Sequence, residues 1–174
     1  MIVWINGTFG SGKTTTARHL REIAPHVREW DPEQVGYMLR TVVGDQQVRN
    51  FQDWAAWRAV VVATGDAVSR QTGQHLVAPQ TVLVEAYMQE ILDGFAACSV
   101  KVFHVLLDAD AEVLRQRISA DRQERGALDW RLEHLVDYEA ARPWMTSSAD
   151  LVIDTSAKSP RACAESILAA AGLG

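Results

Sequence analysis

The residues best suited to chemistry lie close to the start of the chain, in the segment GTFGSGKT from Gly7 to Thr14. They fit the spacing G-x-x-x-x-G-K-[ST], in which glycines let the backbone turn its amides inward around phosphate oxygens. Lys13 is a flexible cation that can reach the outer two phosphates, and the Thr14 hydroxyl is suited to hold Mg²⁺. The segment therefore predicts a loop that binds the phosphates of a nucleotide.

The flanking sequence decides between this interpretation and a glycine-rich turn with an incidental lysine. IVWIN at 2–6 is short and apolar, as in a buried strand, and 13 to about 24 has the pattern of a helix. A phosphate loop requires this context, because the helix presents its positive dipole end to the anion. We expect ATP or GTP in the loop, with Mg²⁺ on Thr14. The predicted nucleotide contacts are Gly7, Phe9, Gly10, Ser11, Gly12, Lys13, Thr14 and Thr15.

Strand and helix patterns alternate along the whole chain. After the first strand, apolar β-rich segments recur at 26–30, within 74–82, at 101–107 and within 149–156. Helical patterns separate them at 13–24, from Asp31-Pro32 onward, at 51–71, at 85–98, from 110 to about 144 with a break near Gly126, and after Ser159-Pro160. This alternation predicts an α/β fold with a parallel sheet, in one domain over 1–174.

Composition excludes several classes of protein. The chain has 174 residues, 48% of them hydrophobic, so it can bury a sizeable core. Its net charge of −5 and the lack of a Lys/Arg run argue against a nucleic-acid partner. The sequence shows no leader and no apolar stretch of about 18 residues, so we expect a cytoplasmic protein. Cys98 and Cys163 are far apart in sequence and are predicted to be reduced thiols.

Among P-loop proteins, the sequence favours a kinase-like layout. It lacks the base-reading N/T-K-x-D of GTPases, and its third strand, HLVAPQ, does not end in the aspartate usual in motors and AAA-type ATPases. An acid, Asp31, follows the second strand instead, and an arginine-rich helical segment lies late in the chain. Both features suit the transfer of a phosphoryl group to a small acceptor.

Asp31 has two candidate roles. Ligands of open parallel sheets bind beyond the carboxyl ends of the strands, which is where this residue should lie. There its carboxylate could orient or deprotonate an acceptor hydroxyl, or help to hold Mg²⁺ through water. It could also cap the next helix, since D-P-E-Q is a good capping sequence, and the two roles are compatible.

The arginine-rich segment LRQRISADRQERG carries Arg115, Arg117, Arg122 and Arg125. A lid over about 115–145 could bring such cations to the phosphates, where the transferred group needs positive charge. Each arginine could instead lie on a solvated helix face and pair with a nearby acid. Arg117 and Arg122 are the predicted phosphate contacts. The DTS segment at 154–156 could border the adenine or form only a polar turn.

Five longer segments occur in this order: WINGTFGSGKT, DPEQVGYMLR, FQDWAAWR, LVAPQTVLVEAYMQEI and VLRQRI. Together they resemble the tunicamycin-resistance ATP-binding protein family, a small branch of the P-loop kinase-like proteins. The resemblance covers most of the chain and is strongest from residue 2 to about 118. It implies the fold of nucleoside-monophosphate kinases, with a five-stranded parallel core. It also implies that ATP and Mg²⁺ are held by Gly10, Gly12, Lys13 and Thr14.

The resemblance implies an activity as well. The organism would gain resistance to tunicamycin, a fatty-acylated nucleoside antibiotic, because the protein binds or modifies it. Similar antibiotic and metabolite phosphotransferases use an acid in the position of Asp31 as a base. The resemblance leaves open whether tunicamycin is phosphorylated or sequestered, and an ordinary nucleotide or sugar kinase is a third hypothesis.

An acceptor with a uracil ring and an acyl chain needs an aromatic and apolar pocket. The candidate contacts are Tyr37, Met38, Phe51, Trp54 and Trp57, with Arg40, Arg58 and Thr81 for polar groups. Burial in the core is the competing interpretation for each aromatic residue. On a continuous helix Trp57 lies off the line of Phe51 and Trp54, so Trp57 is the predicted ligand contact.

The chain departs from the expected pattern in two places. The third strand lacks a Walker-B aspartate, which leaves Mg²⁺ to Asp31 or Glu85; if neither serves, nucleotide-dependent binding without catalysis is favoured. The last helix carries Cys163, Ile167 and Leu168 with few cations, so any membrane contact would be peripheral.

Overall fold

A computed structural model describes residues 1–121 and 128–174 of the chain. Its five strands form one parallel sheet in the order β2-β3-β1-β4-β5. The strands are β1 (Ile2–Asn6), β2 (Val27–Glu29), β3 (His75–Pro79), β4 (Val102–Asp108) and β5 (Leu151–Asp154). The predicted α/β fold with a five-stranded parallel sheet is confirmed, and Pro79 ends the third strand as its missing N–H requires.

Helices cover both faces of this sheet. They are α1 (Lys13–Ile23), α2 (Glu33–Val43), α3 (Ala55–Thr72), α4 (Glu85–Ala97), α5 (Ala111–Ala120), α6 (Leu128–Ser148) and α7 (Pro160–Ala170). The Ser159 hydroxyl caps α7 by accepting a hydrogen bond from the Ala162 amide. The described part of the predicted helical stretch from 110 onward holds α5 and α6, and Gly126, the predicted break, lies outside the described residues.

The phosphate loop leaves the middle of the sheet. β1 lies between β3 and β4, with Ile5 opposite Pro79 and Asn6 opposite Leu106. The Asn6 side chain accepts hydrogen bonds from the amides of Gly7 and Val82 and donates one to the Val82 carbonyl. Asn6 therefore fixes the start of the loop to the chain that follows β3, at the carboxyl edge of the sheet.

One face of the sheet packs against α1 and α7. Val3, Ile5 and Leu20 form part of this core together with Cys163 and Ile167 of the last helix. Packing against α1 therefore accounts for the apolar face of α7, which the sequence left as a candidate for peripheral membrane contact. In the described part of the chain, no helix is long and apolar enough to cross a membrane.

The other face of the sheet packs against α3, α4, α5 and α6. Its largest fully buried side chains include Trp4, Trp57, Phe95 and Tyr138. Two of these helices, α4 and α6, also contribute residues to the cleft beside the phosphate loop.

The segment predicted as one helix from 51 to 71 has two parts. Phe51–Asp53 form a single 3₁₀ turn, and α3 begins only at Ala55. A capping box closes the turn, because the Asn50 side chain accepts from the Gln52 amide and the Asp53 side chain accepts from the Asn50 amide. Trp54 is extended, so the side chains before and after it do not share one helical phase.

Candidate functional site

The loop between β1 and α1 has the backbone that its glycines predict. Gly7, Gly10 and Gly12 have φ angles of 140°, 76° and 92°, a region that side chains strongly disfavour. A Cβ on Gly7 would lie 2.5 Å from the Leu107 carbonyl oxygen of β4, whereas one on Gly12 would meet no atom within 4 Å. The closeness of β4 therefore requires glycine at position 7. At position 12 glycine is required only by the positive φ angle.

Lys13 is half-buried at the base of the loop. Its Nζ donates a 2.8 Å hydrogen bond to the Thr8 carbonyl. Burial lowers the pKa of Lys13 to about 7, while Glu33 opposes that shift and the positive charge of Arg131 adds to it. The charge of Lys13 therefore interacts with the negative charge of Glu33 and with the positive charge of Arg131.

Arg131 of α6 is the second cation, and it is 8% exposed. Its Nη1 donates a 2.9 Å hydrogen bond to Asp121, and its guanidinium carbon lies 5.2 Å from the centre of the Phe9 ring. Lys13 Nζ lies 5.9 Å from the centre of the same ring. Two like charges held beside one ring of the glycine loop favour the binding of an anion there. No motif in the sequence indicated Arg131 as a site residue.

Three aromatic rings join the phosphate loop to α6. The Phe9 ring centre lies 5.1 Å from that of Trp130 and 5.8 Å from that of His134, both at steep interplanar angles. His134 is buried and its Nδ1 lies 2.7 Å from the Trp130 carbonyl oxygen, whereas Trp130 is 40% exposed. Phe9 therefore places the loop against the helix that supplies Arg131.

A cleft of about 1500 Å³ opens above the carboxyl edge of the sheet, which is larger than the ~300–1,000 Å³ of an ordinary small-molecule pocket. Its size suits two ligands side by side. The predicted contacts that line it are Phe9, Gly10, Gly12, Lys13, Thr14, Thr15, Tyr37, Arg40 and Thr81. Other lining residues include Arg18, Glu33, Phe51, Trp54, Glu85, Trp130, Arg131 and His134.

The structure corrects the prediction that Trp57 contacts a ligand. Trp57 is fully buried, and its indole Nε1 donates a hydrogen bond to the Pro32 carbonyl. Its ring packs 5.4 Å from that of Phe51, and it is Phe51 and Trp54 that line the cleft. The prediction assumed one continuous helix, and the 3₁₀ turn at 51–53 breaks the phase on which it relied.

Arg58, another predicted substrate contact, also lies behind the cleft wall. It donates hydrogen bonds to Glu90 and to the Gln52 carbonyl, each at 2.6 Å, and stacks over the Tyr87 ring. Gln52 in turn donates to the Thr81 carbonyl. Arg58 therefore supports the wall from behind and does not line the cleft.

Thr81 connects this wall to the phosphate loop. Its hydroxyl donates a 2.7 Å hydrogen bond to the Gly7 carbonyl. The Gly7 amide also donates a hydrogen bond to the Asn6 side chain, so Gly7 helps to fix the backbone of the loop. It lines neither cavity.

Asp31 does not line the cleft. One of its oxygens accepts the Glu33 amide at 2.9 Å and the other accepts the Gln34 side chain at 3.0 Å. It therefore acts as the cap of α2, which begins at Glu33, one residue later than predicted. Glu33 is the carboxylate of this segment that lines the cleft, and this corrects the predicted place of Asp31 in the site.

Arg117 supports the loop without lining the main cleft. Its Nη1 donates to the Gly10 carbonyl and to the Thr155 hydroxyl, and its Nη2 donates to the Thr155 carbonyl at 2.7 Å. It lines a second cavity of about 230 Å³. The walls of that cavity are Gly10, Ser11, Gly12, Thr16, Arg117, Thr155, Lys158, Pro160 and Cys163. The other predicted arginine, Arg122, lies outside the described residues.

Two hydroxyls in the wall of the second cavity are buried without a hydrogen-bond partner among the described residues, those of Ser11 and Thr16. Unsatisfied buried hydroxyls beside a glycine loop fit a ligand that brings acceptor oxygens. After β3, Gln80 stands where a Walker-B acid would stand. Across 1–121 and 128–174, no group of three metal-binding side chains occurs, although the exposed Glu85 lines the cleft.

Asp108, at the end of β4, holds α6 in place. It accepts hydrogen bonds from the Tyr138 hydroxyl, from two nitrogens of Arg142 and from the Ala109 amide. Burial, followed by the bond to Asp108, raises the pKa of Tyr138, so the phenol stays protonated. Because Arg131 is on the same helix, this network fixes the helix that carries the second cation.

A known protein family matches most of the chain. The family described as an AAA domain, AAA_33, matches residues 2–143. The chain belongs to this family. A comparison with curated protein sequences found no match. The matched range includes Gln80, which follows β3 where an acid was expected in an AAA-type ATPase, so the lack of that acid does not exclude the chain from this family.

Solved structures similar to this chain are mostly kinases. The Deinococcus radiodurans tunicamycin resistance protein has a TM-score of 0.77 and 26% identity, over 99% of this chain and 96% of that one. A sugar kinase from Janibacter gives 0.71 and 20%, over 99% and 95%. Acinetobacter baumannii shikimate kinase gives 0.64 and 20%, over 96% and 90%. The resemblance to the tunicamycin-resistance family is thereby confirmed, and the P-loop kinase-like fold implies nucleotide binding.

Proposed function

We propose that the protein is an ATP-dependent phosphotransferase that acts on a hydroxyl of a small molecule, with tunicamycin as the acceptor to be tested. The observation that carries this proposal is that Lys13 and Arg131 both lie beside the Phe9 ring of the loop and both line a cleft large enough for an acceptor. Phosphoryl transfer needs cations of this kind around the transferred group.

The residues present fit ATP and Mg²⁺. The Lys13 ammonium group and the backbone at Gly10 and Gly12, which has the φ angles of a glycine loop, would hold the phosphates. The unsatisfied Ser11 hydroxyl would contact the nucleotide from the second cavity. When bound there, ATP supplies the phosphoryl group and Mg²⁺ offsets its charge. The exposed Thr14 hydroxyl lines the cleft and would hold the metal ion, with Glu85 as the acid available after β3.

The second cavity would receive the base of the nucleotide. It lies beside the same glycines, and its walls offer the Arg117 guanidinium and the Thr155 backbone. Arg117 would then position the loop and border the base, while Arg131 meets the phosphates. We also propose that residues 1–174 form a single domain and that the segment from about 115 to 145 serves as its lid. We further propose a cytoplasmic setting, where ATP is available.

The acceptor would occupy the outer part of the main cleft. Phe51, Trp54 and Tyr37 offer aromatic surface there, and Arg40 and Thr81 offer polar groups. Tunicamycin carries both a uracil ring and an acyl chain, and a similar structure is that of a tunicamycin resistance protein. These two observations support tunicamycin as the first acceptor to test.

A second candidate function is ATP-dependent sequestration of tunicamycin without transfer. Gln80 favours it, because an amide at the end of β3 gives Mg²⁺ no negative charge. Transfer is preferred, because the solved structures similar to this chain are mostly kinases.

The test is ADP formation with tunicamycin and with a panel of nucleosides and sugars. We expect acceptor-dependent ADP formation by the unaltered protein and a loss of at least about 100-fold in Lys13→Met and Arg131→Gln. Arg161→Gln is the matched control, because Arg161 is exposed on α7 and its described ion pair is with Glu165 alone. ADP formation that no acceptor increases would contradict transfer, and equal losses in the control would point to misfolding.

A further inference from the structure

The wall that α6 contributes to the main cleft has three ionisable side chains among the described residues. Arg131 pairs with Asp121 at 2.9 Å. Asp137 pairs with Arg49 at 2.7 Å. The third is His134, whose hydrogen bond is to the backbone of its own helix. The charged pairs therefore join α6 to other segments, whereas the histidine has a different part in this wall.

The hydrogen bond of His134 assigns the position of its proton. Nδ1 lies 2.7 Å from the carbonyl oxygen of Trp130, four residues earlier. A carbonyl oxygen only accepts, so Nδ1 is the donor and the lone pair of the neutral ring lies on Nε2. Nε2 is the outer nitrogen of the ring, and the side chain lines the cleft although it is only 6% exposed. His134 therefore offers the cleft a basic nitrogen on a buried side chain.

Two aromatic rings hold the imidazole in place. The Trp130 ring centre lies 4.0 Å from that of His134, with an interplanar angle of 49°. The Phe9 ring centre lies 5.8 Å away, at an angle of 79°. Packing on two sides and the hydrogen bond at Nδ1 restrict the rotation of the imidazole. The geometry of Nε2 is thus set before any ligand binds, as a reacting group requires.

The same Phe9 ring relates His134 to the two cations of the proposed phosphate site. Lys13 Nζ lies 5.9 Å from the centre of this ring, and the guanidinium carbon of Arg131 lies 5.2 Å from it. Ionised phosphate oxygens only accept hydrogen bonds, so they do not bind the lone pair of Nε2. The hydroxyl of an acceptor molecule does. The chemistry of Nε2 therefore suits the acceptor, at the end of the cleft where the phosphates would lie.

We infer that His134 is a catalytic residue that accepts the proton of the acceptor hydroxyl through Nε2, while the Trp130 carbonyl holds the ring. This inference rests on the proposed phosphotransferase function. It gives to α6 the role that the sequence analysis gave to Asp31, which does not line the cleft.

The step balances as follows. The acceptor oxygen forms a bond to the γ-phosphorus while the bond from that phosphorus to the β-phosphate oxygen breaks, and ADP leaves with the electron pair. The hydroxyl proton passes to Nε2 of His134, and the resulting imidazolium keeps its Nδ1 hydrogen bond. The proton then passes to solvent in the cleft, which restores the neutral ring.

The experiment compares three variants of the full chain, His134→Asn, His134→Gln and His134→Ala. The asparagine amide can still donate to the Trp130 carbonyl but replaces no atom at Nε2. The glutamine amide reaches the place of Nε2 and can bind a hydroxyl, but it is not basic. The matched control is His19→Asn, because His19 contacts Glu22 on α1 and lines neither cavity.

Four quantities are measured: kcat, the KM of the acceptor that gives the highest rate, the Kd of ADP by calorimetry, and the thermal unfolding of each variant. His134→Asn should lower kcat by about 100-fold to 1,000-fold, with the Kd of ADP changed less than about threefold. His134→Gln should be as slow, with an acceptor KM within about threefold of the unaltered protein. His19→Asn should match the unaltered protein.

Added imidazole distinguishes proton transfer from support of the fold. His134→Ala leaves space for a free imidazole molecule, so about 50 mM imidazole should raise its kcat by at least about tenfold. The same addition should leave Lys13→Met unchanged, because that variant keeps its histidine. A low kcat that imidazole does not raise, together with a lowered unfolding temperature, would make His134 a structural residue and overturn the inference.

Three other results would also overturn it. Normal kcat in His134→Gln would show that the hydroxyl is oriented without giving its proton to this residue. A Kd for ADP weakened as much as kcat in His134→Asn would make His134 a nucleotide contact. Full activity in His134→Asn would remove this inference alone, whereas an unaltered protein that transferred no phosphoryl group to any acceptor would remove the proposed function with it.

Discussion

Lys13 donates a 2.8 Å hydrogen bond from its ammonium group to the carbonyl oxygen of Thr8, a residue of its own loop. The loop thus holds its lysine half-buried, and burial lowers its pKa from 10.5 to about 7. A group placed to meet phosphates therefore costs stability when it is charged and no anion is bound.

The first prediction concerns the pH dependence of stability in Lys13→Met. Between about pH 7 and 10.5, the unfolded chain binds the Lys13 proton and the folded chain does not, so the unaltered protein gains stability as pH rises. Its free energy of unfolding, relative to Lys13→Met, should increase by up to about 1.4 kcal/mol per pH unit above pH 7. Urea unfolding of both proteins without nucleotide, from pH 6.5 to 9, checks this. A difference that stays flat would place the lysine in solvent.

The second prediction compares two glycines of the loop. Gly7→Ala puts a Cβ 2.5 Å from the Leu107 carbonyl, so it should displace the loop from β4 and abolish nucleotide binding. Gly12→Ala meets no atom and should cost only about 1–2 kcal/mol, from its left-handed backbone. Calorimetric titration with ADP and urea unfolding measure both effects. Equal losses in the two variants would show that contact with β4 is not what demands Gly7.

The third prediction separates two tryptophans. Trp57 is fully buried, so Trp57→Ala should lower the free energy of unfolding by about 3–5 kcal/mol. Trp130 is 40% exposed and lines the cleft, so Trp130→Ala should cost at most about 1 kcal/mol and mainly weaken ligand affinity. Urea unfolding and ADP affinity distinguish the two. A stable Trp57→Ala with weakened acceptor binding would restore Trp57 as a ligand contact.

The fourth prediction concerns the anchor of α6. Asp108→Ala leaves Tyr138 and Arg142 without their shared acceptor and should cost about 3 kcal/mol, while Tyr138→Phe should cost about 1.5 kcal/mol. Both variants should also weaken phosphate binding, because α6 carries Arg131. The control is Asp93→Asn, where the described bond is to the exposed Gln89. Losses no larger than that of the control would show that the network does not hold the helix.

The strands and the loop were predictable because their signals are local. IVWIN is an apolar run followed by glycines at fixed spacing, and the structure has β1 at 2–6 and the glycine backbone angles that the pattern requires. Pro79 ends the third strand because proline has no N–H to donate, which is a property of that residue alone. Fold class followed from the order of such elements.

The walls of the site were less predictable, because they depend on where helices begin. The 3₁₀ turn at 51–53 shifted the phase of α3, which turned Trp57 inward and left Trp54 on the cleft. Glu33 had one available signal, since a capping role for Asp31 leaves Glu33 as the next acid. Arg131 shares a helix face with Trp130 and His134, but nothing local indicates that this face meets Phe9.

The most direct test of phosphoryl transfer is mass spectrometry of tunicamycin after incubation with the protein, ATP and Mg²⁺. The proposed function predicts a product heavier by one phosphoryl group, formed in step with ADP and missing in Lys13→Met. Recovery of unchanged tunicamycin, bound to the protein while ATP stays intact, would contradict transfer and leave sequestration as the function.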